Sequence, residues 1–410
     1  MSAGLSGSRR ILPLVVLAGV FVMEGFDIAA MSLAVPRLER PLGLAPASFG
    51  WVFTALLVGL GAGGALLAPL GDRFGRRALI VAGCLATGLA TLATAGATSI
   101  AVFLLCRLVT GLALGACLPN VSALSAELAP EKLRATLMAV VSAGIPIGIS
   151  AAGLTAPAIV ATLGWQGLFL VPGGFAVMLA LVLAVTLEGG RPARMGGSAD
   201  TPRADTPLPQ LELFRSPWLF PFAVLAAMLA FNALDLYLLN SWLPTVLPRA
   251  GLSLDDAARV AGVANLAGLG IGIAASLLVD RWRKGLTLML LFGMMTLSFA
   301  AIGLSAPDPQ RWTLLLMLGV GGANAGGMVL PGLAAYLFPA RLLSSAVGMS
   351  VLVARLGAFA GPPLGGAMLA ANVPAQTFLG VAALPAALAA LMCLGVGKAL
   401  KVRGRVEAAD

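Results

Sequence analysis

Twelve apolar runs follow one another along this chain, at 11–36, 48–70, 78–97, 100–126, 136–162, 166–187, 218–247, 257–279, 285–305, 312–337, 343–370 and 376–397. About 20 apolar residues suffice for a helix to cross the hydrocarbon of a bilayer, where every backbone N–H and C=O must find its partner within the segment. The expected fold class is therefore an all-α integral membrane protein of twelve transmembrane helices. The narrowest separation falls at Gly164 and Trp165, where only a short turn divides two runs. The first run follows Ser8, Arg9 and Arg10 as a signal peptide would, but it exceeds an h-region and is expected to be retained.

Between the sixth and seventh runs lies EGGRPARMGGSADTPRADTPLPQLELFRSP, rich in Gly, Pro, Asp and Arg and without periodicity. It reads as a linker, giving an N-terminal six-helix bundle over 1–187, a cytoplasmic linker over 188–217 and a C-terminal bundle with a short tail over 218–410. An even number of spans puts both termini on one side. That side carries 19 Lys and Arg, among them Arg73, Arg76, Arg77, Arg281, Arg341 and Lys398. The other side carries five, and Arg107 and Arg355 fall inside spans. The bias places both termini in the cytoplasm, which for a bacterial chain means the inner membrane.

The halves also repeat. LGDRFGRR, with Asp72 and Arg73, is matched about 208 residues on by VDRWRKG, with Asp280 and Arg281. ELAPEKLRATLMAV is matched by YLFPARLLSSAVGM, pairing Pro130 with Pro339. Duplicated halves with a substrate site between them at mid-depth are the architecture of a secondary transporter.

The chemistry available is narrow. With no histidine, any proton must be carried by a carboxylate. The four cysteines form no CxxC pair, so no metal or cofactor is expected, and no nucleophile motif suggests an enzyme. The net charge of +9 sits in short clusters between apolar runs, which points to the bilayer rather than to nucleic acid.

Within this apolar chain the first span carries two acids, Glu24 and Asp27, three residues apart and so on one helical face. Two mid-span carboxylates cost about 5–7 kcal/mol, against roughly 4–8 kcal/mol from the thirteen Leu, Ile, Val and Phe between 11 and 35. Their face must meet a wet or charge-lined interior, and both are candidates for carrying the proton. Arg107, in the fourth span, is expected to pair with an acid or to bind an anion. Arg355, in the eleventh, is the stronger candidate for a substrate carboxylate, with Asp235 as an alternative partner. FNALDLYLLNSW in the seventh span supplies Asn232, Asp235 and Tyr237 as cavity-lining candidates, and Asn324 in the tenth is another. Trp242, beside Pro244, is expected in an interfacial aromatic belt. Bends are expected at Pro119, Pro146, Pro362 and Pro363, and the spans' glycines are expected to let helices pack closely.

Gly71, Asp72, Arg73, Phe74, Gly75, Arg76 and Arg77 resemble the loop signature between helices two and three of the major facilitator superfamily, with Asp280 and Arg281 as a weaker second copy. The resemblance implies two pseudo-symmetric six-helix bundles latched by these charges. EGFD at 24–27, RLVTGLALGACLPNVSALSAELAPEKLRA at 107–135, NSWLPTVL at 240–247 and ARLGAFAGPPLGG at 354–366 look like the aromatic acid:proton symporter family within it. That family's first-helix signature usually opens with Asp where this chain has Glu24. The resemblance implies proton-coupled import of a benzoate, hydroxybenzoate or phenylpropionate type of acid by a chain sufficient as a monomer. Proton-driven efflux of drugs or metabolites and a non-transporting receptor remain as alternatives.

Overall fold

The computed structural model describes residues 7–130, 134–187 and 209–407. Among the described residues, twelve helices are long and apolar enough to cross a membrane: α1 (Leu12–Leu42), α2 (Pro46–Leu67), α3 (Arg76–Thr94), α4 (Ile100–Leu128), α5 (Val140–Leu163), α6 (Gly167–Thr186), α7 (Leu219–Arg249), α8 (Leu254–Arg281), α9 (Lys284–Leu304), α10 (Pro309–Leu337), α11 (Ala340–Ala370) and α12 (Ala375–Val406). The turn expected at Gly164 is present, with Gly164 at φ +66° between α5 and α6. Two helices outrun their apolar stretches: α1 continues past 36 to Leu42, and α12 past 397 to Val406. Hydropathy reads where the hydrocarbon ends, and helical bonding carries on beyond it while Lys and Arg stems lie along apolar neighbours.

Polar caps set several starts. Ser99, Ser253 and Asp308 accept from the backbone N–H of Val102, Asp256 and Arg311, at 3.5, 3.0 and 2.7 Å, to open α4, α8 and α10. Helix is continuous through Pro119 in α4 and through Pro362 and Pro363 in α11. Only near Pro146 is there an interruption, at Ala143, between the helical stretches Arg134–Ser142 and Gly144–Leu163.

The chain divides into two compact units, Met1–Gly197 and Ser198–Asp410; the linker expected at 188–217 lies mostly outside the described residues. Within the first unit α2 meets α4, and α1 meets α5, through bare backbone. A methyl at Gly111 would stand 2.2 Å from the Leu56 carbonyl oxygen, and one at Gly148 2.0 Å from that of Val22. The second unit repeats both seams in equivalent helices. A methyl at Gly357 of α11 would stand 2.1 Å from the Ala230 oxygen of α7, and one at Gly268 of α8 would stand 2.6 Å from Asn324 Cβ of α10. Small residues at these seams serve because lipid supplies no hydrophobic drive between helices, leaving close packing to hold them.

Trp242 corrects the expectation of an aromatic belt. It is fully buried in the α7–α11 seam, its Nε1–H donating to the Pro362 carbonyl oxygen at 2.9 Å over Gly365. Pro244 does not end α7, which runs on to Arg249, so Trp242 lies inside the helix rather than at its edge.

Gly111→Val is expected to lower the apparent melting temperature of purified protein by an amount equivalent to about 1–3 kcal/mol of overpacking. Gly61→Val, on α2 but with no atom within 4 Å of the added carbon, should leave it unchanged.

Candidate functional site: a buried carboxylate–guanidinium pair

Asp27 of α1 and Arg107 of α4 form an ion pair in the interior of the first unit, each 1% exposed. Contact is two-pronged, with Arg107 Nη1–H donating to Asp27 Oδ2 at 2.7 Å and Nη2–H to Oδ1 at 3.2 Å. The neighbouring α3 completes the shell. Thr91 Oγ1–H donates to Asp27 Oδ1 at 2.7 Å, and Thr94 Oγ1 accepts from Arg107 Nη2 at 3.4 Å while giving its own hydrogen to the Ala90 oxygen. From α6 the Phe169 ring lies 5.7 Å from the guanidinium carbon.

Local packing explains the geometry. Gly25 presses α1 so closely to α5 that a methyl there would stand 2.0 Å from the Ile145 oxygen, and the carboxyls at 24 and 27 emerge on another face. Two charges taken out of water are costly unless the geometry is good and the remaining hydrogen-bonding capacity is met. A planar fork on a carboxylate, with a hydroxyl on one carboxylate oxygen, answers much of that demand, while the Arg107 Nε–H meets no acceptor among the described residues. The Asp27 carboxylate is thus the counter-ion that holds Arg107. Glu24, one turn earlier, is also buried.

At the α2–α3 turn the loop signature forms a second cluster. Gly75 has φ +95°, a backbone that side chains rarely adopt. Gly71 lies against Asn120, whose Nδ2–H groups donate to the Ala68 and Ala116 oxygens and so tie α4 to the turn. Arg76 pairs with Glu127 of α4 and reaches Asp72 at 3.5 Å. Arg77 donates to the Ala184 oxygen of α6, and Arg73 lies over the Phe74 ring. The equivalent turn in the second unit keeps this plan with altered chemistry. Tyr336, in the place of Glu127, donates its O–H to Asp280 at 2.7 Å, and Lys284, in the place of Arg76, sits 4.0 Å from the Tyr336 ring centroid. Arg281 has no glycine turn beside it.

Residues 17–337 match the Major Facilitator Superfamily. The chain belongs to that superfamily. It is 28% identical to the 4-hydroxybenzoate transporter of Pseudomonas aeruginosa, over 95% of this chain and 92% of that relative. It is 31% identical to the 3-(3-hydroxy-phenyl)propionate transporter of Escherichia coli K12, over 89% of this chain and 88% of that one. A bacterial homolog to the human lysosomal transporter Spinster, in an inward-facing and unoccupied conformation, has the same fold. Its TM-score is 0.76 at 17% identity, with 97% of this chain and 99% of that one covered. This major facilitator is thus a multi-pass membrane transporter and not an enzyme.

In this transporter the other candidates separate by burial. Asn232 is buried against α10, donating to the Ala323 oxygen at 3.1 Å against Gly326, while its Oδ1 accepts no hydrogen bond among the described residues. Asp235 is 0% exposed, and neither of its oxygens accepts a hydrogen bond among the described residues. The alternative pairing of Arg355 with Asp235 is therefore not formed. Arg355 is half-buried, and among the described residues it makes no hydrogen bond or ion pair. Tyr237 and Asn324 are also half-buried. Glu127, which reads in sequence as part of a charge network with Glu131 and Arg134, pairs with Arg76; Glu131 lies outside the described residues.

Sequence reasoning missed Thr91, Thr94 and Asn265. Asn265 is the one polar side chain in an otherwise apolar stretch, whereas Thr91 and Thr94 share α3 with Thr87 at helical spacing, the signal that could have found them.

Asp27→Asn and Arg107→Met should each destabilise the purified protein by about 3–5 kcal/mol, since each strands the partner in a buried site. The double variant should lose less than the sum of the two, as thermal unfolding in detergent can measure.

Proposed function

We propose that this transporter imports an aromatic carboxylate of the benzoate, hydroxybenzoate or phenylpropionate type together with protons, by alternating access, in the bacterial inner membrane with both termini in the cytoplasm. The Asp27–Arg107 pair is the observation that carries the reading. In a chain without histidine it is a carboxylate that can accept a proton and, in doing so, release a cation that tied α1 to α4. Glu24, on the same face of α1, is the second proton carrier.

Energetics call for coupling. Bringing an anion in against a negative interior costs about 2.3 kcal/mol per charge at 100 mV, so at least two protons must accompany each acid for the potential to favour import. Two carboxyls one turn apart meet that count. The substrate carboxylate is assigned to Arg355, whose guanidinium has no partner among the described residues. The half-buried Tyr237 ring is assigned to contact the substrate, with the half-buried Asn324 amide in a supporting place behind it. The names of the two relatives above, both transporters of hydroxylated aromatic acids, support the substrate class. The clusters around Asp72, Arg73, Arg76 and Arg77, and around Asp280, serve as latches that break and reform as the units exchange states. One chain suffices for the cycle.

In vesicles with an imposed pH gradient, inside alkaline, wild type should accumulate labelled 4-hydroxybenzoate and Asp27→Asn should not. Extrusion of drugs without uptake of any acid would defeat the proposal. Arg355→Ala should weaken binding of the acid at least tenfold, about 1.4 kcal/mol, while binding of the neutral amide analogue changes little. Equal loss for both would remove Arg355 from carboxylate recognition.

A further inference from the structure

Three asparagines on three helices of the second unit form one directed chain of hydrogen bonds. Asn324 of α10 donates through Nδ2 to Asn265 Oδ1 of α8 at 3.1 Å, and Asn265 donates through Nδ2 to Asn240 Oδ1 of α7 at 3.2 Å. The direction is set by two further bonds. The remaining Nδ2–H of Asn265 goes to the Ala261 oxygen at 2.9 Å, and that of Asn324 to the Val320 oxygen at 3.0 Å. Turning the Asn265 amide over would set its oxygen against two acceptors, so the orientation follows from the network.

Counting donors and acceptors shows where the chain is open. Asn324 has used both N–H groups and Asn265 both of its own. Asn240 has used only its oxygen, and its two N–H groups meet no acceptor among the described residues. Asn265 is buried, whereas Asn240 and Asn324 keep exposed surface. A relay serving only to fasten helices would end on protein groups. This one ends in an amide donor polarised by the two amides behind it.

Resting on the aromatic-acid reading above, the geometry points to Asn240 as the residue that recognises a ring hydroxyl of the substrate, with Asn265 and Asn324 as positioning residues that orient its amide. A phenolic oxygen accepts the Asn240 Nδ2–H. A carboxylate is better served by a guanidinium, so the two ends of a hydroxylated aromatic acid find different partners. An acid lacking the hydroxyl leaves a donor desolvated and unmatched, and a site built to bond a hydroxyl discriminates strongly against such analogues.

The test compares 4-hydroxybenzoate, 3-hydroxybenzoate and benzoate as gradient-driven substrates of purified protein in vesicles. Wild type should favour at least one hydroxylated acid over benzoate by tenfold or more in kcat/KM. Asn240→Leu and Asn265→Leu should each cut kcat/KM for that acid at least tenfold while changing benzoate less than threefold, collapsing the preference. Because Asn265 is buried among three helices, the half-buried Asn240→Leu carries the test if Asn265→Leu fails to fold. Equal losses for all three acids would make the relay a helix fastener and overturn the inference while leaving the aromatic-acid reading intact. So would a wild type indifferent to the hydroxyl. Uptake of none of the acids would overturn both.

Discussion

A bilayer supplies no water to a stranded polar group, and that constraint shapes almost every polar contact in this structure. Asp27 and Arg107 can lie at 1% exposure because each is the other's counter-ion and two threonine hydroxyls bond to the pair. The pair in turn needs α1, α3, α4 and α6 at fixed separations, which the glycine seams between α2 and α4 and between α1 and α5 help to set. Charge satisfaction and backbone packing are thus one problem solved twice, once by side chains and once by their absence.

The second unit meets the same constraint with amides in place of charges. Asn232 donates to the Ala323 oxygen, and Asn240, Asn265 and Asn324 are linked in one chain of hydrogen bonds across α7, α8 and α10. Asp235 departs from this plan, since neither oxygen accepts a hydrogen bond among the described residues, and the same holds for the Asn232 Oδ1. Duplicated halves have kept the helix plan and the glycine seams while their interiors have diverged in chemistry.

Much of the architecture was legible in the sequence because the signal is coarse and repeated. A span is about twenty residues of one character, and the loop signature at Gly71–Arg77 has a second copy. Single polar residues were harder to read. Glu24, Asp27 and Arg107 declared themselves through cost, since a charge in an apolar run demands an explanation, yet nothing along the chain says that Arg107 turns to Asp27. Thr91 costs little by hydropathy and Asn265 carries no charge, and both passed unnoticed, although the structure gives each a place beside a more conspicuous residue. Trp242 was misplaced because proximity to a proline resembles a helix edge, and only packing against Gly365 and Pro362 shows the helix continuing.

The two turns that carry the duplicated acid also differ in how they answer to ionic strength. In the first, Arg76 faces two carboxylates, Asp72 and Glu127, at an exposed edge where dissolved ions weaken charge attraction within a Debye length of about 8–10 Å. In the second, a phenol replaces one carboxylate, and the contact to Asp280 is a short O–H hydrogen bond rather than an attraction between opposite charges. With a phenol in the place of Glu127, the second turn should therefore answer to the salt around it less than the first.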